Sequence, residues 1–145
     1  MIREITIEML EDLTNLFIES FNAPPWNDEW TVETAGKRIQ DFINTPGFYG
    51  IAQYENEKLL GMIFGRSEQY FDGVSFQILE FCIDRERQRE GIGKGLLNEM
   101  IIRLKEQDIK NVFLLTLRGE ATEGFYEKNG FIDEKNMLMM SRILR

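Results

Sequence analysis

The sequence predicts a mixed α/β domain: a mostly antiparallel sheet of six to seven strands with helices on both faces. Three observations predict it. Short apolar segments joined by tight-turn residues fill the stretch from 48 to 84, as antiparallel hairpins do. A strand, a Gly-rich loop and an amphipathic helix then lead to a nearly continuous apolar run, Val112–Leu117. Such a run is expected where both faces of a parallel strand are covered. The 145 residues suit one domain, 1–145, with one ordinary core.

The elements follow in order. Ile2, Ile5 and Ile7 lie in a short first strand. Leu10, Leu13, Leu16, Phe17 and Phe21 recur at helical spacing, which places a first helix over Glu8–Phe21. Asn22-Ala23-Pro24-Pro25 stops it, and a loop with Trp26 and Trp30 follows. Thr31 can cap a second helix with Ala35, Ile39, Phe42 and Ile43 on its buried face. Thr45-Pro46-Gly47 ends that helix. Strands are expected near Phe48–Tyr54, Lys58–Ser67 and Val74–Asp84, with a hairpin turn at Glu55-Asn56-Glu57 and another at Asp72-Gly73. A third helix carries Ile92, Leu96, Leu97, Met100, Ile101 and Leu104 on one side. After Val112–Leu117 come a short helix near Ala121–Asn129 and a final hairpin ending in Met137–Leu144. The order reads β-α-α-β-β-β-α-β-α-β-β.

Composition narrows the chemistry. The chain has no histidine, so Ser-His-Asp, Cys-His and His-zinc chemistry are excluded. No metal cofactor is expected. Acid–base work must fall to Glu, Asp, Tyr, Lys, Cys or water. The net charge is −8, and residues 1–60 hold four basic and 11 acidic side chains. An acidic chain is a poor nucleic-acid binder, because phosphate contacts need clustered Lys and Arg. The uneven charge reads either as solubility or as an acidic half that attracts a cationic ligand. No run reaches about 18 apolar residues, so no membrane partner is expected. With one cysteine, Cys82, and no signal-peptide core, a cytoplasmic protein is expected.

Gln88-Arg89-Glu90-Gly91-Ile92-Gly93-Lys94-Gly95 sits between a strand and a helix. Free N–H groups and the positive dipole end of a helix start make an anion site. The loop is not a dinucleotide fingerprint, because Leu96 stands where a third glycine is needed. It is not a P-loop either, because Gln88 and Gly95 occupy its Gly and Ser/Thr positions. Gln88-x-x-Gly91-x-Gly93 resembles the (Gln/Arg)-x-x-Gly-x-(Gly/Ala) loop of the GCN5-related N-acetyltransferase family. The preceding Leu79–Ile83 strand and the segment Phe125-Tyr126-Glu127-Lys128-Asn129-Gly130-Phe131 are also similar to that family. The resemblance extends over nearly the whole chain. Pro24-Pro25-Trp26 and Thr45-Pro46-Gly47-Phe48 resemble, more weakly, members similar to aminoglycoside 6′-acetyltransferases.

The resemblance implies acetyl-CoA as co-substrate. Gln88, Arg89, Glu90, Gly91, Ile92, Gly93 and Lys94 would hold its pyrophosphate. Backbone at Phe81, Cys82 and Ile83 would pair with its pantetheine arm, where the fourth and fifth strands splay apart. It also implies Tyr126 as the acid at the leaving sulfur and Glu80 as the base. Tyr suits the role, since a phenol titrates near pH ~10 and a thiol near ~8.5. Glu80 is a charge in an apolar run, which needs a partner or a cleft, or else an outward-facing position in solvent. Cys82 reads as a small buried hydrophobe rather than a nucleophile. Trp26, Asp28, Glu29 and Trp30 combine aromatic faces with carboxylates, which suits a cationic acceptor. The same two rings could equally cap the core beneath a loop.

Some positions depart from the family pattern. Gly119 and Thr122 stand where the family often has Asn and a smaller residue, so adenine-side contacts differ. The expected function is direct acetyl transfer to a primary amine of a small, cationic molecule. A peptide or protein amine, or an acyl-CoA-binding module without turnover, are the alternatives. A monomer or a homodimer fits equally.

Overall fold

The computed structural model describes residues 1–145 and divides into two compact units, Met1–Leu114 and Leu115–Arg145. In the first unit, strand β1 (Ile2–Glu4) pairs antiparallel with β2 (Phe48–Glu55), Ile2 opposite Gln53. Strand β3 (Lys58–Tyr70) returns beside β2 through Asn56 and Glu57. Both turn residues have positive φ, 50° and 68°, the backbone of a two-residue hairpin whose twist matches its strands. Strand β4 (Gly73–Ile83) turns back on β3 through Phe71 and Asp72, with Gly73 opposite Tyr70, one residue earlier than the turn expected at Asp72-Gly73, and β5 (Ile109–Phe113) lies parallel to β4. The sheet order is β1-β2-β3-β4-β5.

A 3₁₀ turn at Ile7–Met9 precedes helix α1 (Leu10–Phe21), so the helix starts two residues later than its apolar spacing suggests. Helix α2 (Val32–Ile43) is capped as expected. The Thr34 N–H donates to Thr31 Oγ1 at 3.1 Å, and the Thr31 N–H donates to Thr34 Oγ1 at 3.0 Å. Leu13, Leu16, Phe17, Ala35 and Ile39 bury against Ala52, Met62, Phe64 and Cys82 on one sheet face. Helix α3 (Ile92–Glu106) buries Leu96, Leu97, Met100 and Leu104. A Cβ added at Gly61 would meet Ile83 and, at 3.4 Å, Leu96, so α3 packs where Gly61 and Ile83 face. Alternation along β3 puts that face opposite Met62 and the α1–α2 core.

Two features of β4 position the site. Met62 pairs with Cys82 and Phe64 with Glu80, but Gly65 pairs with Ile78. Leu79 is therefore an extra residue, a bulge that breaks the two-residue alternation. Leu79 packs on the α1–α2 core, and Glu80 opposes Phe64 of that same core. The bulge therefore separates Glu80 from the face of Ile78, which simple alternation would give it. Further along, β4 pairs with β5 only from Val74 to Gln77. From Ile78 to Ile83, β4 is laddered to β3 on one side only.

The second unit holds a π-turn at Glu120–Gly124, a single-turn helix α4 (Phe125–Lys128) and irregular backbone to Arg145. Here the expectation of six to seven strands is corrected to five. The strand expected at Val112–Leu117 is β5 at Ile109–Phe113, and Leu115 and Leu117 are exposed. The final hairpin makes its turn, with the Met137 N–H donating to the Glu134 carbonyl at 3.0 Å, but no ladder follows. Apolar, β-branched composition marks residues able to pair, while a strand needs a neighbour's N–H and C=O groups.

Gly65 lies where the bulge brings backbones together, and a Cβ there would overlap the Gln77 carbonyl. Gly65→Ala should cost roughly 1–3 kcal/mol, read as a lower urea midpoint at unchanged m. Gly95→Ala, where an added Cβ meets nothing within 4 Å, should instead be neutral or stabilise by up to about 1 kcal/mol.

Candidate active site

The site residues rest on three local arrangements. The first is the start of α3. Asp84 ends β4 and accepts the Glu86 N–H at 3.0 Å, which opens a 3₁₀ turn at Arg85–Arg87. Lys58 on β3 pairs with the same carboxylate at 3.2 Å. Arg87 then ties the loop down, donating to Glu55 at 2.9 Å and to Glu90 at 3.0 Å. Gly91 reverses the chain with φ of 81°, and a Cβ there would meet nothing within 4 Å. The first helical bond is Gly95 N–H to the Gly91 carbonyl at 3.0 Å. The N–H groups of Ile92, Gly93 and Lys94 therefore precede the helix's own acceptors and point out of its N-terminus. Gly93 packs over β4, where its Cβ would come within 3.5 Å of Ile83 and 3.9 Å of Phe81. The cradle thus adjoins the segment whose outer edge carries no ladder. Gln88, Arg89, Glu90, Gly91 and Lys94 are exposed there. These features fit a diphosphate and an extended amide-bearing arm: orphan N–H donors, a glycine that admits close approach, and a stretch of β4 outside its ladder with β5.

The second arrangement surrounds Glu80, which is only 8% exposed. Arg38 of α2 meets it, Nε and Nη2 both 2.9 Å from the same carboxylate oxygen. The guanidinium carbon also lies 5.5 Å over the Trp30 ring and 4.8 Å over the Phe42 ring. The Trp30 indole N–H donates to Asp28 at 3.0 Å. Burial raises the Glu80 carboxyl above the ordinary Glu value, Arg38 opposes that rise, and the Asp28 charge adds to it. Burial likewise pushes the Cys82 thiol up to about 12.

The loop from Asn22 to Trp30 is held by hydrogen bonds and ring packing. Asn22 clamps it, donating to the Trp30 carbonyl and accepting the Trp30 N–H, both at 2.9 Å. Trp26 packs edge-on to Phe21 at 5.3 Å, and Trp30 packs edge-on to Phe17 at 5.0 Å. Both rings therefore help cover the core, and Trp30 also faces the guanidinium. Glu29 is exposed on the loop.

The third arrangement lies in the second unit. The Tyr126 ring sits edge-on between Phe125, at 5.3 Å, and Phe131, at 5.5 Å. The Phe131 N–H and the Asn129 N–H both donate to the Tyr126 carbonyl at 3.0 Å, closing α4.

The model of the acetyltransferase (GNAT) family matches residues 10–131. The chain belongs to this family. A GCN5-related N-acetyltransferase 2, chloroplastic, of Arabidopsis thaliana is 30% identical over 101 residues, 70% of this chain. The aligned stretch is 37% of that protein's length, so the chain spans well under half of it. Among solved structures, a possible acetyltransferase from Clostridium difficile 630 superposes with a TM-score of 0.85 at 15% identity, covering 100% of this chain and 98% of that one. An aminoglycoside acetyltransferase from an uncultured soil metagenomic sample, in complex with sisomicin, gives 0.77 at 18% identity, covering 100% and 96%. A ribosomal-protein-alanine N-acetyltransferase from Brucella melitensis biovar Abortus 2308 gives 0.75 at 13%, covering 100% and 99%. At these identities the structures share the fold.

Within the first unit, Glu80, Trp30 and Asp28 come together through Arg38, which the motifs do not mark. A sequence signal existed. Glu80 in an apolar strand needs a counter-charge, and residues 1–60 offer only Arg3, Lys37, Arg38 and Lys58. A groove of about 820 Å³ lies instead between α1 and α2, lined by Thr14, Val32, Gly36 and Gln40 among others. It holds none of the candidate residues. With its thiol at about 12, Cys82 should react with a thiol reagent at pH 8 roughly 10³-fold more slowly in the native protein than in urea.

Proposed function

We propose that the chain, 1–145 taken as one catalytic domain, is an acetyl-CoA-dependent N-acetyltransferase. It moves the acetyl group directly to a primary amine of a small cationic acceptor. One observation carries this reading: the part of β4 beyond its ladder with β5, Ile78–Ile83, contains the buried Glu80 and runs toward the Gly91 cradle. A strand edge that could hold the acyl donor therefore also bears a carboxylate that could take the acceptor's proton.

The roles follow from the chemistry. The N–H groups of Ile92, Gly93 and Lys94 hold the diphosphate, with Gln88, Arg89 and Glu90 forming the approach. Backbone at Phe81, Cys82 and Ile83 pairs with the pantetheine arm, and one of these N–H groups polarises the thioester carbonyl. Glu80 removes the ammonium proton, directly or through water, so that the amine nitrogen can attack the carbonyl carbon. The C–N bond forms, the C–S bond breaks, Tyr126 donates its phenolic proton to the departing thiolate, and the nitrogen's second excess proton passes through water to the Tyr126 phenolate. Trp26, Asp28, Glu29 and Trp30 wall the acceptor side, where aromatic faces and carboxylates favour a cation. Because Glu80 titrates above an ordinary Glu, kcat/KM should rise with pH through that raised value.

The test is release of free thiol from acetyl-CoA with aminoglycosides, polyamines, small amino compounds and peptide amines as acceptors. Glu80→Gln and Tyr126→Phe should each lower kcat by about 10²-fold or more while leaving acetyl-CoA affinity within about twofold. Parallel loss of affinity and rate would assign the residue a packing role. Acetyl-CoA at millimolar concentration should raise Tm. Binding without turnover on any amine would favour an acyl-CoA-binding module, and no binding would overturn both readings.

A further inference from the structure

The surroundings of Glu80 form a complete cation site, and the chain fills it with its own cation. Two aromatic rings, Trp30 and Phe42, face the Arg38 guanidinium, and the Glu80 carboxylate accepts a hydrogen bond from its Nε and pairs with its Nη2. Asp28, held by the Trp30 indole, adds negative charge nearby. An acceptor ammonium asks for these same partners. The two members of the ion pair differ in access: Glu80 is 8% exposed and the Arg38 side chain 40%. Arg38 is thus the solvent-side member, and a ligand reaching this carboxylate from solvent meets the guanidinium first.

Resting on the proposal that Glu80 is the base, we infer that Arg38 is its positioning residue. It keeps the carboxylate ionised and oriented until the acceptor's ammonium displaces the guanidinium from it. The exchange conserves charge at the site, since one cation leaves the carboxylate as another arrives. It therefore avoids the cost of a buried, unpaired carboxylate at any stage. The displaced guanidinium can remain stacked on Phe42 or enter solvent. Arg38 also selects: a neutral amine with no cationic character gains nothing to offset separating the pair.

The groups facing Glu80 are few. Arg38 comes from α2, Asp28 from the loop before it, Phe64 from β3 and Cys82 from β4 itself. Cys82 stays a thiol, so Arg38 and Asp28 are the charges that set the carboxylate's ionisation. Removing Arg38 leaves burial and Asp28, both of which favour the protonated form.

The test compares wild type, Arg38→Met, Arg38→Lys and Glu80→Gln. Carboxyl ¹³C titration, with Glu80 assigned by its loss in Glu80→Gln, reads the ionisation without activity. Arg38→Met should move the Glu80 midpoint up by about one pH unit, and Arg38→Lys should restore most of it. The acid limb of kcat/KM should move by the same amount. Above that limb, KM for a cationic acceptor should fall several-fold in Arg38→Met, because the internal competitor is gone. Glu80 and Arg38 then separate cleanly. A Glu80→Gln enzyme that keeps its rate and its acid limb overturns Glu80 as base, while the titration still decides whether Arg38 governs the carboxylate. An unmoved midpoint in Arg38→Met overturns the inference, as does a raised KM with an unmoved limb. Should Arg38→Met fold poorly by circular dichroism, Arg38→Lys decides. Its single point charge should give a midpoint above wild type, and an identical midpoint and KM overturn the inference.

Discussion

A carboxylate cannot be buried in a strand without a partner, and this constraint organises the first unit. Glu80 sits in β4 between Leu79 and Phe81, with Phe64 opposite it. Isolated there, the charge would cost several kcal/mol. Arg38 meets it from α2, which fixes where α2 must lie relative to β4. The capping pair at Thr31 and Thr34 and the clamp of Asn22 on Trp30 hold the start of that helix. A helix end, a loop and a strand are thereby tied through one ion pair.

The bulge at Leu79 is the second half of the same arrangement. It brings an extra residue onto the α1–α2 core, two residues beyond Gln77, where the ladder of β4 with β5 stops. Edge strands are normally a liability, open to any chain with free backbone groups. Here the exposed edge is short and leads into the N-terminus of α3, where three N–H groups also lack helical partners. The stretch of β4 beyond the β5 ladder and the start of α3 thus lie along one path of the chain.

Much of this was legible in the residues. Periodicity located α1, α2, α3 and the hairpin strands, because each buries one face and the spacing records which. The Gln88–Gly95 loop was legible because positive φ and close approach restrict the residue types allowed. The bulge was not, since Leu79 is as apolar as Ile78 before it and nothing in Ile78-Leu79-Glu80 marks which residue is extra. The strands expected after residue 113 were overstated for a related reason, because Leu115, Leu117 and Met137–Leu144 have strand composition without a ladder.

By itself the sequence determined the elements of the first unit, the glycine-rich turn that opens α3 and the exclusion of histidine chemistry. These are local properties, set by residue type and spacing along the chain. Only the tertiary structure decided that Arg38 is the counter-charge of Glu80, that Trp30 and Phe42 flank it, and that the β4 edge opens beside it. Arg38 and Glu80 are 42 residues apart. No spacing rule spans that distance, because packing of α2 onto the sheet, rather than any local preference, chooses which basic side chain reaches the buried carboxylate.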